Sequence, residues 1–525
     1  MANANDEYNS DDPLSDDDST DNTDIDSSDA EDDFDFDPAA WSNVSAAGMR
    51  DIPYTGDNKL LIPVPGNNEP IDWFNFFIDL VFLENICRFT NDYALEVFFG
   101  PTIMPGSRIH RWKPLTVPEL RIFIGILIHM GTIRINRIQD YWKTDRKYNL
   151  QFFREYMSRD RFQLILRCLC FRRVHPDAEA PADRLYKIRS IIQLFNDKMR
   201  SIYYPSKEMS LDEAMILWRG RLQFRQYVKG KRHKYGVKLY TLCEPEGLIV
   251  RFMVYSGKMD DLGGKGHAGN VVLHLMRDFL NKGHALYMDN FYNSVTLASK
   301  LLANKTYCTG TLRVDRKFNP RTVVAAKLKK GETTCQYGNG ILVGKWRDER
   351  DVLYISTQFE NEMVTMENRR GIEKQKPKPV VHYNAHMKGV DRADQLMSYY
   401  PIERKTIRWY KKIFVHFLQM AMVNCMFFVN MNSGARKMPF LEFRDKLVDS
   451  LLPPKPAQPP RTLPRNPLHR LVQNEERDLK GDRKRKRCRV CAKEGLNKRT
   501  SYLCSGCPGQ PAFCPIRCFD EFHKN

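Results

Sequence analysis

The sequence predicts an α/β protein with a helical N-terminal domain, a β-rich insertion and a small C-terminal zinc-binding module. Three observations carry this reading. Strand-like and helix-like runs alternate between Tyr235 and Leu312. Apolar residues at helical spacing dominate before Tyr204. Six of the thirteen cysteines fall in the last 38 of 525 residues.

Residues 1–69 form the tail and lead-in. Between Asp6 and Asp37 stand sixteen acidic residues and no Lys or Arg. Such a stretch buries too little apolar surface to offset chain entropy and reads as disordered. The whole chain carries +18, so the remainder carries about +34. That excess invites a polyanion, above all nucleic acid. The first thirty residues have no basic-then-apolar leader, so export is not expected.

Residues 70–204 read as helical. "LTVPELRIFIGILIHMG" sets Thr116 and Glu119 at capping-box spacing, with Pro118 in the first turn. "SRDRFQLILRCLCF" (Ser158–Phe171) predicts a second helix with a basic side. Residues 205–315 bring β signals. Tyr235–Gly257 is two β-rich runs around Pro-Glu-Gly, a hairpin. Asn270–Leu280 has helical spacing, "HALYMD" is a short strand ending on Asp289, and Ser294 caps a further helix. Residues 316–380 are Lys-rich with short strands, "ILVGKW" and "VLYIST", and read as an insertion with its own β structure.

Helices return in residues 381–450, over Val390–Tyr400 and Arg408–Met431. The apolar run Ile413–Met431 is nearly long enough to span a bilayer. It carries His416, Gln419, Asn424 and Asn430, which are costly in lipid, so a buried helix and no membrane are expected. Residues 451–487 are a linker, with seven prolines between Pro453 and Pro467 and then "KGDRKRKR" (Lys480–Arg487). That basic run suits DNA or a nuclear import receptor and predicts a nuclear protein.

The zinc module, 488–525, reads Cys488-x2-Cys491-x12-Cys504-x2-Cys507-x6-Cys514-x3-Cys518-x4-His523. Thiolates two residues apart chelate one tetrahedral Zn²⁺ through a tight turn. Seven candidate ligands do not divide into fours. Either two zincs share a cross-braced module with an eighth ligand not evident here, or one zinc leaves spare thiols.

Four carboxylates stand out in the middle of the chain. Asp212 lies in "EMSLDEAMILWRGR", Asp289 follows a buried strand, and Asp391 and Asp394 are three apart in "HMKGVDRADQL". Each has a plain alternative: an Asp-Asn turn at Asp289, a favourable helix start at Asp391, a solvated face at Asp394. Carboxylates on separate elements of one α/β domain also suit Mg²⁺ or Mn²⁺, which take oxygen ligands and serve phosphodiester chemistry. Eight cations follow Asp212: Arg219, Arg221, Arg225, Lys229, Lys231, Arg232, Lys234 and Lys238. Phe224, Tyr227 and Tyr235 are interleaved, a pattern that suits phosphates and unstacked bases.

"SLDEAMILWRGR", "YMDNFYNS", "MKGVDRADQ", "RKTIRWY" and the cysteine-rich end resemble, in order and spacing, the piggyBac family of DDE/D transposases. The resemblance runs from about Trp73 to the C-terminus. It implies an RNase H-like catalytic core interrupted by the insertion, and a dimerising, DNA-binding helical domain. It implies catalytic acids at Asp212, Asp289 and Asp391, with Asp394 a further acid near the metals. Arg408 and Trp409 match an Arg-Trp pair that handles a DNA hairpin end. The implied activity is metal-dependent cleavage of transposon ends through hairpins, followed by joining to double-stranded TTAA target DNA. A homodimer is implied as well.

Overall fold

The computed structural model describes residues 41–44, 48–100, 104, 106–173, 181–228, 234–257, 262–367, 371, 373–406, 408–434, 436–453, 469–515 and 517–523. The acidic tail and the Pro-rich stretch 454–468 lie outside them, as do Lys229, Lys231 and Arg232. The chain divides into two units, Met1–Pro453 and Pro454–Asn525.

In the first unit, strand β1 (Lys59–Leu60) precedes six helices: α1 (Pro70–Phe77), α2 (Leu80–Phe98), α3 (Val117–Thr132), α4 (Gln151–Tyr156), α5 (Arg159–Cys168) and α6 (Arg189–Ile202). Strand β2 (Tyr203–Tyr204) then returns antiparallel to β1. The starts of these helices follow local chemistry. Pro70 opens α1 behind a reciprocal Glu69–Asp72 box. Asp79 caps α2 through Phe82 N, and Ser158 caps α5 through Arg161 N. At α3 the expected box is absent: Thr116 makes no side-chain cap. Glu119 instead grips the Arg161 guanidinium with both oxygens, at 2.7 and 2.5 Å. A charge-assisted fork outcompetes a single bond to a backbone amide.

The central sheet has nine strands. They are β3 (Glu208–Leu217), β4 (Gln226–Tyr227), β5 (Tyr235–Cys243), β6 (Ile249–Val254), β7 (Ala285–Met288), β8 (Tyr307–Thr311), β9 (Thr333–Gly338), β10 (Ile341–Arg347) and β11 (Asp351–Ser356). The order is β4-β5-β3-β7-β8-β11-β10-β9, with β6 also on β5. β3, β5 and β6 are antiparallel, whereas β3, β7 and β8 run parallel. Crossover helices α7 (His267–Met276) and α8 (Val295–Ala303) supply those parallel links, and Ser294 caps α8 as expected. α7 starts three residues before the expected Asn270, after a left-handed Gly266.

The segment expected to fold apart as an insertion largely does not. After the short helix α9 (Arg321–Ala325), β9, β10 and β11 extend the same sheet, with Tyr354 paired to Thr311. Their apolar faces, Ile341, Val343, Leu353 and Ile355, join the core that β7 and β8 already build. Among the described residues of this segment, the ribbon β12 (Met363–Glu367) and β13 (Glu373–Pro377) is the part that stands as a separate sheet.

Helices α10 (Lys378–His386), α11 (Gly389–Tyr399), α12 (Trp409–Met431) and α13 (Phe440–Leu451) close the unit. α12 is apolar and long enough to cross a membrane, yet 89% of its apolar window is buried inside the unit. It packs with α1 and α13 in the larger core, and Asn424 bonds both the N–H and the C=O of Ile249. Those partners explain how polar side chains sit on a buried helix.

His284, at the start of β7, is fully buried. Its Nδ1 faces Ser206 O at 3.0 Å and its Nε2 faces the Tyr204 hydroxyl at 3.1 Å. Burial lowers its pKa from 6.5 to about 4. The unfolded chain therefore binds a proton between pH 6.5 and 4 that the folded chain refuses, so stability is full above 6.5 and falls on acidification through that window. The expected loss is about 3 kcal/mol. Melting temperature against pH checks this: the acid slope should be shallower in His284→Gln.

Candidate metal centres and nucleic-acid interface

β3 and β7 are parallel neighbours in the register Leu211 opposite Met288. The next residues along the chain are Asp212, still on β3, and Asp289, just past the end of β7, so both carboxylates emerge side by side. The Asp289 turn is pinned from below. Asn293, fully buried, donates to Met288 O at 2.8 Å and to Thr311 O at 2.9 Å, and Asp289 Oδ1 accepts from Phe291 N at 2.9 Å. β8 passes close enough that a Cβ on Gly310 would lie 1.8 Å from Met288 O, so only glycine fits there.

A third oxygen comes from Glu213. Ligand atoms of Asp212, Glu213 and Asp289 all lie within 4.8 Å of one another. At an effective dielectric of 20, two unit charges at that separation repel by about 3 kcal/mol. Part of this is offset within the protein. Buried Lys238 places its ammonium 3.1 Å from Glu213, and 4.0 Å from the centre of the Phe291 ring. Lys238 is thus turned inward, apart from the exposed basic surface on which sequence reasoning placed it.

The Tyr292 hydroxyl is buried with no hydrogen-bond partner among the described residues. Burial raises its pKa well above 10, and Glu213, Asp212 and Asp289 add to the shift. Hard carboxylate oxygens beside an unfilled buried phenol fit a hydrated Mg²⁺ or Mn²⁺.

Asp391 and Asp394 are not in the 4.8 Å set. α11 nevertheless comes back against the sheet. It packs on β3, and Gly389 lies so close that a Cβ would meet Glu244 O at 2.4 Å and Ser210 Oγ at 2.5 Å. Asp391 is exposed in the first turn and Asp394 is half-buried. Tyr383 on α10 registers the convergence. Its pKa is pushed up to about 12, first by burial, with Asp289, Asp212 and Asp391 all contributing.

The basic stretch after β3 is a loop against β5. Arg219, Arg221 and Lys234 are exposed and Arg225 is half-buried, its guanidinium over Tyr235 at 5.7 Å. Phe224 meets Trp409 edge-on at 5.2 Å, which joins this loop to the start of α12. Arg408 is exposed beside it. Exposed cations therefore come from two distant stretches of chain joined by the contact of buried Phe224 with half-buried Trp409, and such cations suit backbone phosphates.

The second unit carries two four-ligand sets. Cys488, Cys491, Cys514 and Cys518 form one; His469, Cys504, Cys507 and His523 form the other. A tetrahedron with metal–sulfur bonds near 2.3 Å has S···S edges of about 3.8 Å and slightly shorter S···N edges. The observed spacings are 3.6 and 3.9 Å between sulfurs, and 3.2 to 3.4 Å from sulfur to imidazole nitrogen. His523 Nδ1 donates to Phe519 O at 2.8 Å, which leaves Nε2 to the metal.

His469 completes the second set as the eighth candidate ligand that the spacing left open. It is brought in by β14 (Leu471–Gln473), which pairs Leu471 with Cys504 of β17 (Tyr502–Cys504). The smaller pair β15 (Lys486–Arg487) and β16 (Arg499–Thr500) aligns the first knuckle. Helices α14 (Arg489–Lys493) and α15 (Arg517–Phe522) carry Cys491 and Cys518. The folded module thus begins before residue 488. The ligand pairs alternate along the chain between the two sets, which is a cross-brace. His469 was the one histidine between Pro453 and Cys488, so the odd ligand count was a usable signal.

A mixed α/β sheet presenting paired carboxylates suits a nuclease- or transposase-type protein. A family model described as Transposase IS4 matches residues 69–426, and the chain belongs to that family, in its piggyBac-type form. It is 26% identical over 479 residues to human PiggyBac transposable element-derived protein 3, covering 86% of this chain and 76% of the relative. A human Chimeric ERCC6-PGBD3 protein is equally similar, and this chain spans 42% of its length. A cryo-EM structure of the piggyBac transposase synaptic complex with hairpin DNA shares the fold. Its TM-score is 0.67 at 22% identity, covering 75% of this chain and 82% of that one. Family membership implies a divalent metal.

Proposed function

We propose that this chain is a DNA transposase of piggyBac type, built on an RNase H-like core, that cuts transposon ends through hairpins and joins them to TTAA sites. The observation that carries the reading is the register match that sets Asp212 beside Asp289 on adjacent parallel strands. The strand order β6-β5-β3-β7-β8, three antiparallel and then two parallel, is the order that an RNase H-like core needs.

Asp212 and Asp289 supply the oxygens that hold a divalent cation, and Asp391 approaches from α11 as the third acid. A bound Mg²⁺ or Mn²⁺ supplies Lewis-acid activation of water and of the freed 3′-OH, and steadies the leaving oxygen. The chain itself aligns the strand. Arg219, Arg221, Arg225 and Lys234 neutralise phosphates, and Trp409 with Arg408 offers a stacking edge for a distorted end. The second unit holds two Zn²⁺ in its cross-brace and reads DNA ends. The protein acts as a homodimer in the nucleus.

The test is incubation of the full chain with DNA bearing the element's own ends, with Mg²⁺, with Mn²⁺ and with EDTA. Metal-dependent nicks and hairpins are expected. A protein that binds those ends yet never cuts them is instead a silent DNA-binding derivative.

A further inference from the structure

Three carboxylates meet at the candidate site, yet a two-carboxylate shell completed by water and phosphate is what a small divalent cation needs. Glu213 differs from its neighbours. It is buried, it directly follows Asp212, and it already has a cation: Lys238 at 3.1 Å, with both side chains at most one-tenth exposed. Lys238 also lies over Tyr240 at 4.6 Å and over Phe291 at 4.0 Å. The Phe291 amide is the group that holds Asp289 Oδ1. The ammonium is therefore in contact with both halves of the site, Glu213 on β3 and the Asp289 turn after β7.

We infer that Lys238 is a resident internal cation of the acidic site, a positioning residue that occupies Glu213, keeps it out of the metal shell and leaves the ion to Asp212 and Asp289. This rests on the metal-dependent reading above. Lys238 offsets the charge of Glu213, so Glu213 adds little to the pull of the site on an incoming cation. The inference also removes Lys238 from the DNA surface. A buried ammonium already paired with a carboxylate releases no counterion when a phosphate arrives.

The two single variants and the double variant separate the possibilities, because a coupled pair is read only from the full cycle. Mn²⁺ binding to the full chain is followed by electron paramagnetic resonance, with Asp289→Asn to subtract other sites. Glu213→Gln leaves Lys238 unpaired and should weaken Mn²⁺ at least fivefold. Lys238→Met removes that cation from Glu213 and should tighten Mn²⁺ by a similar factor.

The double variant Lys238→Met with Glu213→Gln should return to within about threefold of wild type. It also guards against misfolding, because replacing a buried ion pair by neutral residues of similar size is well tolerated. The salt dependence of DNA binding should be unchanged throughout.

If the double variant stays as weak as Glu213→Gln, Glu213 is a ligand and the inference is overturned. A salt slope that drops by about one in both Lys238 variants overturns it as well, because Lys238 then touches phosphate. Wild-type protein that binds no Mn²⁺ overturns the inference together with the metal-dependent reading, an outcome distinct from failure of the double variant alone.

Discussion

His469→Ala is expected to lower bound zinc from two ions per chain to one and to unfold the C-terminal module around the vacated site. The reasoning starts from the spacing of the ligands. His469 Nδ1 lies 3.3 Å from Cys507 Sγ and 3.4 Å from Cys504 Sγ, the edges of a tetrahedron whose fourth corner is His523. The hydrophobic core of this unit is small. Cys488, Val490, Cys491, Leu503, Cys504, Ala512, Phe513 and Cys518 are its buried apolar residues, and half of them are candidate ligands.

With so little apolar surface, metal binding must supply most of the folding free energy, about 10–16 kcal/mol per structural zinc at neutral pH. The cross-brace makes the loss cooperative, because Cys504 and Cys507 lie in the chain between Cys491 and Cys514. Metal analysis by mass spectrometry and the thermal melt of the full chain check this. Two zincs retained in His469→Ala would remove His469 from the site. Chelation of wild-type protein should also weaken binding to the element's ends, which ties the module to DNA.

The zinc case also shows which parts of this protein were legible in its residues. Cys488 to His523 announced themselves because thiolates at two-residue spacing have few other uses. His469 lay beyond the motif, behind prolines; the odd ligand count called for one more ligand, and strand pairing of Leu471 with Cys504 is what brings His469 to the set. The same division holds in the sheet. Local signals predicted the Tyr235–Gly257 hairpin, the Ser294 cap and the buried run of α12, since turn chemistry, caps and apolar spacing are written over a few residues.

Pairing between remote strands is not written that way. Residues 333–356 therefore looked like a separate insertion, whereas their apolar faces complete the main sheet. Lys238 is the sharpest instance. In one dimension it is the last of eight cations. In the sheet it lies in register with Met215, on the strand that carries Glu213, and the strand's pleat turns it inward. Asp212, Asp289 and Asp391 stood out as carboxylates on separate elements, the resemblance supplied their expected roles, and the strand register sets the first two side by side.

Asp289→Asn should abolish metal-dependent cleavage while DNA binding holds. Losing one charged ligand removes roughly 4 kcal/mol of transition-state stabilisation, about a thousandfold in rate. Local structure should survive, because the Asn side-chain oxygen can still accept from Phe291 N, as Asp289 Oδ1 does at 2.9 Å. Asn293 continues to tie Met288 to Thr311 beneath the turn. Affinity for end DNA should stay equal or rise slightly, since a negative charge is withdrawn from a site facing phosphate and the cations of the basic loop are untouched.

Asp289→Ala is the contrasting variant. It loses the acceptor as well as the charge, so a fall in melting temperature should accompany the lost activity. Gel assays of nicked and hairpin products, binding isotherms and melts on the same preparations separate these effects. Cleavage by Asp289→Asn within tenfold of wild type would mean that the carboxylate beside Asp212 holds no essential metal, and the chemistry would have to be sought at another cluster.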